Sequence, residues 1–247
     1  MWDDAKQLNA VAAGLALFAV VLLGYGAVRW ITQLPAFAFR AVGVNGALER
    51  ADPRYLEAVI REELAGTFFT MNLDRARASL ERVPWVRRVA LRRQWPQRLE
   101  VSIEEHVPLA RWNATALVNV EGEVFAADHD GELPHFEGPE GRSAEMTARY
   151  REWSEALASL AMAIETLRLS PRGGWYVRTR GEVGMLGVEL GRDEPAARLA
   201  RFLAAYGRTL GVLARTGTRI EHVDLRYRNG FAARVPGFRE RAPKKIG

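Results

Sequence analysis

The chain has 247 residues, 48% of them hydrophobic and 26% charged, which is typical of a folded protein with one large or two modest domains. A formal net charge of +5 allows a nucleic-acid or anionic-membrane partner but requires neither, because 30 acidic residues accompany 35 basic ones. The absence of cysteine excludes disulfides, thiolate catalysis and zinc–thiolate sites.

An apolar, uncharged segment follows the first nine residues. Its length in helical geometry matches a hydrocarbon core of about 30 Å. We therefore predict a transmembrane helix over residues 10–30 behind a short head, residues 1–9. A cleaved signal peptide with a weak site at residues 36–38 is the alternative, but it would be shorter and would follow a basic segment rather than Asp3 and Asp4.

Residues 37–108 predict a domain with the element order β-α-α-β-β. Residues 37–44 alternate in hydropathy as a strand does, and Asp52 and Pro53 combine an N-cap with proline at the first helical position. A second short helix and two strands complete the order. The apolar faces of the two helices are Leu56, Val59, Ile60 and Leu64 in the first, and Leu73, Ala76, Leu80 and Val83 in the second.

The two strands of this segment are rich in arginine, which raises the question of a nucleic-acid or anionic-lipid surface. A three-residue loop between them would place Arg92 opposite Glu100 in an antiparallel pair. The same register sets Arg88 against Glu104 and leaves the apolar residues together on the other face. We interpret the strands as a hairpin whose outer face carries compensating charges.

The loop of this hairpin, residues 95–97, contains Trp95 before a proline. We expect Trp95 to cover the hydrophobic core. Arg93 and Arg98 are expected to remain near the turn as an exposed basic tip, so nucleic-acid binding stays open as an alternative.

Residues 109–236 predict a second domain, a mixed antiparallel sheet with packed helices. A basic tail over residues 237–247 is expected to be disordered. The expected elements are a hairpin around Glu121 and Gly122, a helix over residues 144–169, strands over residues 175–180 and 184–191, a helix over residues 194–213, and a final hairpin with its turn at Asn229 and Gly230.

The first of these helices has its apolar residues spaced by three and four. This spacing also occurs in coiled coils, but barely three heptads are present, so a helix lying against a sheet is the favoured interpretation. The apolar positions are Met146, Tyr150, Trp153, Leu157, Leu160, Ile164 and Leu167.

Catalytic side chains do not form a recognisable constellation. Glu104, Glu105 and His106 are consecutive on a strand, so their side chains point to alternate faces and do not converge. We therefore expect neither an enzyme nor a cofactor.

The best candidate for a metal site is the segment DHDGELPHFE. Its spacing matches part of a calcium-binding loop, but the first position is Ala126, which offers no ligand. His129 and His135 could instead form a transition-metal pair. A polar loop explains the segment equally well, and we expect no metal. The calcium-loop positions are Asp128, Asp130, Gly131 and Glu137.

Two sets of motifs resemble the FtsQ/DivIB family of bacterial cell-division proteins. PWV, a basic alternating strand, QWP and then L-x-V-x-I-x-E-x-x-P-x-A-x-W resemble the POTRA domain of that family. GVELGR, RLARFLAAY and HVDLRYRNGFAARV are similar to its C-terminal β domain. The resemblance implies an α+β fold with an N-terminal transmembrane helix, a POTRA domain over residues 37–108 and a β domain over residues 109–236.

The resemblance also implies a function, that of an essential-type, non-enzymatic scaffold of the divisome. Such a protein crosses the inner membrane once, with a cytoplasmic N-terminus and most of the chain in the periplasm at the septum. It forms a complex with FtsB and FtsL, meets other divisome proteins through the POTRA domain and the transmembrane segment, links early and late division proteins, and helps to control septal peptidoglycan synthesis.

In this family FtsB adds a strand to the edge of the last strand of the β domain, beside the preceding helix. An exposed edge with unpaired N–H and C=O groups suits that mode of binding. Phe231 replaces the small residue expected at this edge and would supply a bulkier apolar anchor. By position, the residues implied to contact FtsB are Arg226, Tyr227, Asn229, Gly230, Phe231 and Ala233, with Arg172 as a further basic contact.

Two other functions compete with this interpretation. A membrane-anchored module of POTRA type could bind nucleic acid or anionic lipid through the basic hairpin, with an affinity that falls as salt rises. A POTRA-bearing transport or secretion component would share the first domain, but it is expected to add further repeats or a membrane β-barrel, for which this length leaves no room.

Overall fold

The computed structural model describes residues 5–46, 48–63, 66–181, 184–228 and 230–236. The chain divides into two compact units, Met1–His106 and Val107–Gly247, each with its own hydrophobic core. The expected disordered tail, Leu64 of the first apolar stripe and Asn229 of the last turn lie outside the described residues.

The N-terminal helix, α1, covers Ala5–Thr32. Within it, Lys6–Thr32 has a mean hydropathy of 2.3 over its most apolar window, and none of that window is buried. The helix begins at Ala5 instead of residue 10, because Ala, Lys, Gln and Leu in this stretch all favour helix. Pro35 follows the helix closely and opens a short 3₁₀ turn, Pro35–Phe37. The segment is one candidate membrane span by length and composition.

The β-α-α-β-β order of the first unit is confirmed. Its three strands form a sheet in the order β1-β3-β2, with β1 parallel to β3 and β2 antiparallel to it. The first strand begins at Ala41 instead of residue 37, because the 3₁₀ turn occupies the start of the predicted stretch. The elements are β1 (Ala41–Asn45), α2 (Pro53–Glu63), α3 (Leu73–Leu80), β2 (Val86–Gln94) and β3 (Arg98–Glu105).

The apolar faces of α2 and α3 pack on one face of this sheet. Asp52 Oδ1 accepts a hydrogen bond from Arg54 N at 2.9 Å, so the predicted N-cap of α2 is present. Asn72 caps α3 in the same way, through Arg75 N at 3.0 Å. The core of the unit contains Leu56, Ile60, Ala76, Leu80, Val83, Val89, Leu91, Leu99, Val101 and Ile103.

The predicted register of the β2–β3 hairpin is confirmed. Arg92 lies opposite Glu100, and Arg88 lies opposite Glu104. The ion pair, however, is formed by Arg87, whose Nη1 lies 2.5 Å from Glu104 Oε1. A β-bulge near the start of β2 explains the change of partner, because it shifts the pairing by one residue there.

The turn of this hairpin differs from the expectation at two residues. Trp95 does not cover the core, since its side chain is 78% exposed. Arg93 is not part of an exposed tip: its Nη2 donates to Met71 O at 2.5 Å and its guanidinium lies 6.0 Å from the centre of the Phe68 ring. Residues on alternate positions of a strand share a face, and Arg93 therefore points the same way as the buried Leu91.

The second unit contains a nine-stranded mixed sheet in the order β12-β11-β10-β9-β8-β7-β4-β5-β6. Helices α4 and α5 pack on it and on each other. The strands are β4 (Pro108–Trp112), β5 (Ala116–Asn119), β6 (Val124–Phe125), β7 (His135–Glu137), β8 (Ala163–Leu169), β9 (Trp175–Gly181), β10 (Gly184–Gly191), β11 (His222–Asp224) and β12 (Ala232–Arg234), and the helices are α4 (Ser143–Ala158), α5 (Pro195–Tyr206) and α6 (Leu210–Arg215).

The hairpins predicted around residues 121–122 and 229–230 are confirmed as the antiparallel pairs β5–β6 and β11–β12. The core of the unit lies between the helices and the sheet, where Trp153 of α4 meets Trp175 of β9 edge to face with ring centres 5.2 Å apart.

The single helix predicted over residues 144–169 is wrong in its second half. The helix ends at Ala158, Ala161 has a positive φ of 53°, and residues 163–169 form strand β8. β8 pairs with β7 on one side and with β9 on the other. Ile164 and Leu167 fit the spacing of a helix, but both are also buried in the strand. Backbone pairing with β7 and β9 therefore decides in favour of the strand.

The helix predicted over residues 194–213 is interrupted. α5 ends at Tyr206 and α6 begins at Leu210, with Gly207 between them. The predicted inward residues Phe202 and Leu210 are buried all the same, because the break redirects the chain without removing its apolar face from the core.

Candidate partner-binding edge

The last strand of the nine-stranded sheet is one of its two edges. Within the part of the chain that the structure describes, β12 pairs only with β11, with Ala233 opposite Val223, and all three of its residues are exposed. β11 in turn lies parallel to β10 in the interior of the sheet. A strand in this position has N–H and C=O groups on its outer side that no other strand of the sheet pairs with.

The segment between β11 and β12 is organised by Asp224. Its Oδ1 accepts a hydrogen bond from Arg226 N at 3.0 Å. The Arg226 guanidinium also donates two hydrogen bonds to the carboxylate, Nε to Oδ1 at 2.9 Å and Nη2 to Oδ2 at 2.7 Å. These hydrogen bonds lower the pKa of the Asp224 carboxyl below its usual value. The side chain of Arg226 is thereby oriented, although 59% of it remains exposed.

Arg226 also depends on a glycine in the neighbouring strand. Gly191 ends β10 with a φ of 72°, and a Cβ at this position would lie 2.9 Å from Arg226 Cγ and 2.6 Å from Arg198 Nη1. A side chain at residue 191 would force these arginines to move, and the positive φ also favours glycine there.

Tyr227, next along the turn, is 58% exposed. With Arg228, Gly230, Phe231 and Ala232 it lines a shallow depression of about 440 Å³ beside β12. Tyr227 therefore offers a large aromatic surface close to the edge strand, which suits contact with another chain.

A deeper groove of about 350 Å³ runs between α5 and the last hairpin. We call it the α5 groove. Its apolar part includes Phe202 and Phe231, whose rings meet edge to face with centres 5.9 Å apart. Phe231 therefore packs against the domain instead of projecting from the edge. The groove is lined by Arg198, Arg201, Phe202, Ala205, Leu225, Arg228, Gly230 and Phe231.

Three arginines line the α5 groove and were not predicted as site residues: Arg198, Arg201 and Arg228. Arg201 Nη1 donates to Arg228 O at 2.8 Å, and Arg198 Nη1 donates to Leu190 O at 2.7 Å. Both cations are held by backbone carbonyls, which leaves their charge uncompensated by these contacts. The sequence could have indicated them through helical spacing. Arg198, Arg201, Phe202 and Ala205 lie at i, i+3, i+4 and i+7, which places them on one face of α5.

Arg172, the further basic contact, does not line the groove. It lies exposed in the β8–β9 turn, which Ser170 N closes through Gly174 O at 2.8 Å. This turn precedes Trp175, which pairs with Gly191 at the end of β10. Arg172 is therefore at the same end of the sheet as the Asp224–Arg226 pair, with β9 and β10 between them.

The candidate metal segment has other contacts in the structure. Glu137 lies on β7, where its Oε2 is 2.5 Å from Arg168 Nε and its Oε1 is 3.7 Å from His135 Nδ1. The carbonyl oxygens of His129 and Gly131 both accept from Arg111 Nη2. Among the residues that the structure describes, no group of three or more His, Asp or Glu side chains is arranged to hold a metal ion.

Comparison with known proteins gives matches to both units. A family model of the FtsQ-type POTRA domain matches residues 37–106, and a model of the C-terminal part of the cell division protein FtsQ/DivIB matches residues 110–226.

Similar full-length proteins extend these matches over nearly the whole chain. The cell division protein FtsQ of Burkholderia pseudomallei is 40% identical over 97% of this chain and 96% of its own length. That of Nitrosospira multiformis is 38% identical over 95% of this chain and 99% of its own, and that of Neisseria gonorrhoeae is 32% identical over 95% of each.

Proposed function

The chain belongs to the FtsQ/DivIB family of cell division proteins, and we propose that it is a divisome scaffold. In this proposal it binds FtsB by β-strand addition at β12, in a complex with FtsL. Membership of the family gives it a role as a scaffold in cell division and, with the exposed apolar α1, a single membrane anchor. The partners, the binding edge and the control of septal peptidoglycan synthesis are the proposed part.

The observation that carries the proposal is the position of β12. It is a terminal strand with exposed residues, and the α5 groove opens beside it. A partner strand could pair with the outer side of β12, while flanking residues of the same partner enter the groove. Backbone hydrogen bonds would supply affinity, and side chains in the groove would supply selectivity.

The chemistry of the groove indicates what the bound segment should contain. Arg198, Arg201 and Arg228 line it, while Phe202 and Phe231 form its apolar part. A segment with carboxylates and one bulky apolar side chain would complement both features. We propose that FtsB supplies such a segment, and that Tyr227 packs on it from the turn.

The arrangement in the cell follows the family. We propose that the N-terminus is cytoplasmic, that α1 crosses the inner membrane once, and that both folded units lie in the periplasm at the septum. We further propose that the first unit and α1 contact other division proteins and thereby link early and late members of the divisome. This role requires no catalysis, metal or cofactor.

The proposed domain limits are residues 37–108 for the POTRA domain and 109–236 for the β domain. Two observations support them: the compact units meet between His106 and Val107, and the two family matches cover residues 37–106 and 110–226.

Substitution of Tyr227 tests the proposed edge. Tyr227→Ala in the full-length chain should weaken binding of a peptide from the C-terminal part of FtsB by about tenfold or more, because exposed aromatic residues at strand-addition sites often dominate affinity. Fluorescence anisotropy of the labelled peptide, with the protein in detergent micelles, measures the change. Tyr55→Ala is the matched control, since Tyr55 is 53% exposed in the other unit.

An unchanged affinity in Tyr227→Ala would remove this edge from the proposal. The identity of the partners has its own test: FtsB and FtsL should co-purify with the unsubstituted chain from solubilised membranes. Failure of that experiment would contradict the partners, whatever the effect of Tyr227→Ala.

A further inference from the structure

Three aromatic side chains near the C-terminal end of α1 are exposed. Trp30 is 67% exposed on the helix itself, Phe69 is 50% exposed in a turn of the first unit, and Trp95 is 78% exposed at the turn of the β2–β3 hairpin. Transfer of such rings from water into a membrane or against another protein is favourable, and groups of exposed apolar side chains mark surfaces of this kind.

The depth of the end of α1 in a membrane follows from its charges. Residues 7–28 carry no charge and would span about 33 Å as a helix, enough for the hydrocarbon core of roughly 30 Å. Arg29 then marks the border of that core. Thr32 lies less than one helical turn beyond it, about 5 Å, and so falls within the headgroup layer.

The turn that contains Phe69 is attached to this point. Thr67 Oγ1 donates to Thr32 O at 2.6 Å, and Thr67 is itself buried. Phe68 N donates to Phe37 O at 2.8 Å, and the Phe69 ring lies 5.2 Å from the Phe37 ring. These contacts hold the turn at the depth of Thr32.

The tip of the β2–β3 hairpin is attached to the same segment. Gln97 Nε2 donates to Ala36 O, and Arg40 N donates to Gln97 O at 2.9 Å. Ala36 follows Thr32 by four residues, a distance of at most about 14 Å even for extended chain. Trp95, two residues before Gln97, is therefore held near the membrane side of the unit.

Exposed cations accompany these aromatic residues. Arg40 and Arg98 lie on neighbouring strand ends, where Ala41 pairs with Arg98, and both are exposed. No Asp or Glu occurs in the sequence from residue 5 to residue 48. Among the described residues, neither Arg40 nor Arg98 forms an ion pair. The surface therefore has a positive charge next to its aromatic rings, as protein surfaces that bind anionic headgroups do.

We propose that Phe69, Trp95, Arg40 and Arg98, here called the interface tip, lie in the headgroup layer of the membrane that α1 spans. The two rings enter the interface, where Trp is favoured because its ring is amphipathic, and the two arginines bind lipid phosphates. The first folded unit is then held against the bilayer surface instead of moving freely on a linker. The interface tip is distinct from β12 and the α5 groove, and it does not depend on them.

The absence of cysteine makes a depth measurement direct. A nitroxide spin label is placed at Gln94→Cys, which is exposed beside Trp95 and leaves the tryptophan in place. The matched control is Arg54→Cys at the start of α2. Residues 49–51, just before it, donate backbone hydrogen bonds to the Glu105 carboxylate. Glu105 ends β3 at the end opposite Arg98, and the seven residue steps between them span roughly 23 Å.

Full-length labelled chains in nanodiscs containing phosphatidylglycerol are then exposed to oxygen, which partitions into lipid, and to an aqueous nickel chelate. We expect the label at residue 94 to be relaxed mainly by oxygen and the label at residue 54 mainly by nickel. Equal nickel accessibility at the two positions would overturn the proposal. A label at residue 94 shielded from both reagents would also overturn it, because a protein contact would then occupy the tip.

Two further arms test the individual side chains. Trp95→Ser in the Gln94→Cys chain should increase nickel accessibility severalfold, whereas an unchanged value would show that the ring is not an anchor. Nanodiscs of zwitterionic lipid alone should leave the label closer to water than anionic ones do, and equal depth would contradict the role of the two arginines.

Discussion

Alternation along β2 places Arg93 on the inner face of the first sheet, where its charge needs a partner. Val89 and Leu91 are buried, and the next residue of the same parity is Arg93. Its charge is accommodated by Met71 O and the face of the Phe68 ring. The alternation that correctly placed the apolar residues would also have predicted this, had it been continued to the end of the strand.

The Asp224–Arg226 pair is expected to stabilise the second unit in a pH-dependent way. The pKa of Asp224 is lower in the folded chain than in the unfolded one, so its contribution is fully present above the unfolded pKa of about 3.9 and is lost as the pH falls through the folded pKa. Asp224→Asn should destabilise the unit by about 1 kcal/mol at pH 7, since Arg226 is largely exposed.

Thermal unfolding in detergent, followed by circular dichroism between pH 3 and 7, measures this effect. The difference between the unsubstituted chain and Asp224→Asn should shrink below about pH 4. Glu152→Gln is the control, because Glu152 pairs with Arg149 on the exposed face of α4 and should contribute little. Parallel profiles for Asp224→Asn and the unsubstituted chain would contradict the assignment.

At the scale of elements, the main error of sequence reasoning concerns residues 144–169. Apolar residues at steps of three and four are compatible with a helix, but Ile164, Leu167 and Leu169 also face the core from a strand. The spacing of apolar residues indicates which side chains are buried. It does not indicate whether another strand is available to pair with the backbone. Strand β8 exists because β7 and β9 offer pairing partners on both sides.

Gly191 at the end of β10 is expected to be required for the shape of the α5 groove. Gly191→Ala should destabilise the second unit by about 2 kcal/mol, because an alanine at positive φ is strained and its Cβ would meet Arg198 and Arg226. Chemical denaturation measures the loss, and the same variant should also bind the FtsB peptide more weakly than the unsubstituted chain does.

Gly207→Ala provides the comparison for that experiment. Gly207 has helical dihedral angles, φ −59° and ψ −31°, and a Cβ there would meet nothing within 4 Å. This substitution should be neutral or slightly stabilising, by about 0.4–1 kcal/mol. Equal losses in both variants would show that the constraint at Gly191 is not the cause.

At the scale of the whole molecule, each unit has its own core, so core substitutions should act on one unit at a time. Leu80→Ala should cost the first unit about 2–5 kcal/mol, and Leu157→Ala should cost the second unit a similar amount. Both leucines are fully buried. Hydrogen–deuterium exchange on the full-length chain should show faster exchange in the affected unit, and an equal increase in both units would contradict separate cores.

The candidate site could be predicted only in part. The last hairpin is local in sequence, and its turn and strands were predicted from alternation and an Asn-Gly turn. Arg198 and Arg201 belong to α5, which ends at Tyr206, 16 residues before the hairpin begins at His222. Only packing of α5 beside the hairpin makes them part of the same groove. Their helical spacing was visible, but the neighbour of that helical face was not.

Sequence patterns were enough to predict the apolar N-terminal helix, the β-α-α-β-β order, the register of the β2–β3 hairpin and the family. These depend on interactions between residues close in the chain, or on motifs that are contiguous in it. The three-dimensional fold was needed to show that residues 163–169 are a strand, that Arg93 packs inward while Trp95 is exposed, and that α5 forms a groove with the last hairpin. The deciding contacts include partners distant in sequence: β7 for β8, Met71 and Phe68 for Arg93, and α5 for the last hairpin. Burial or pairing with these partners outweighs the local preference.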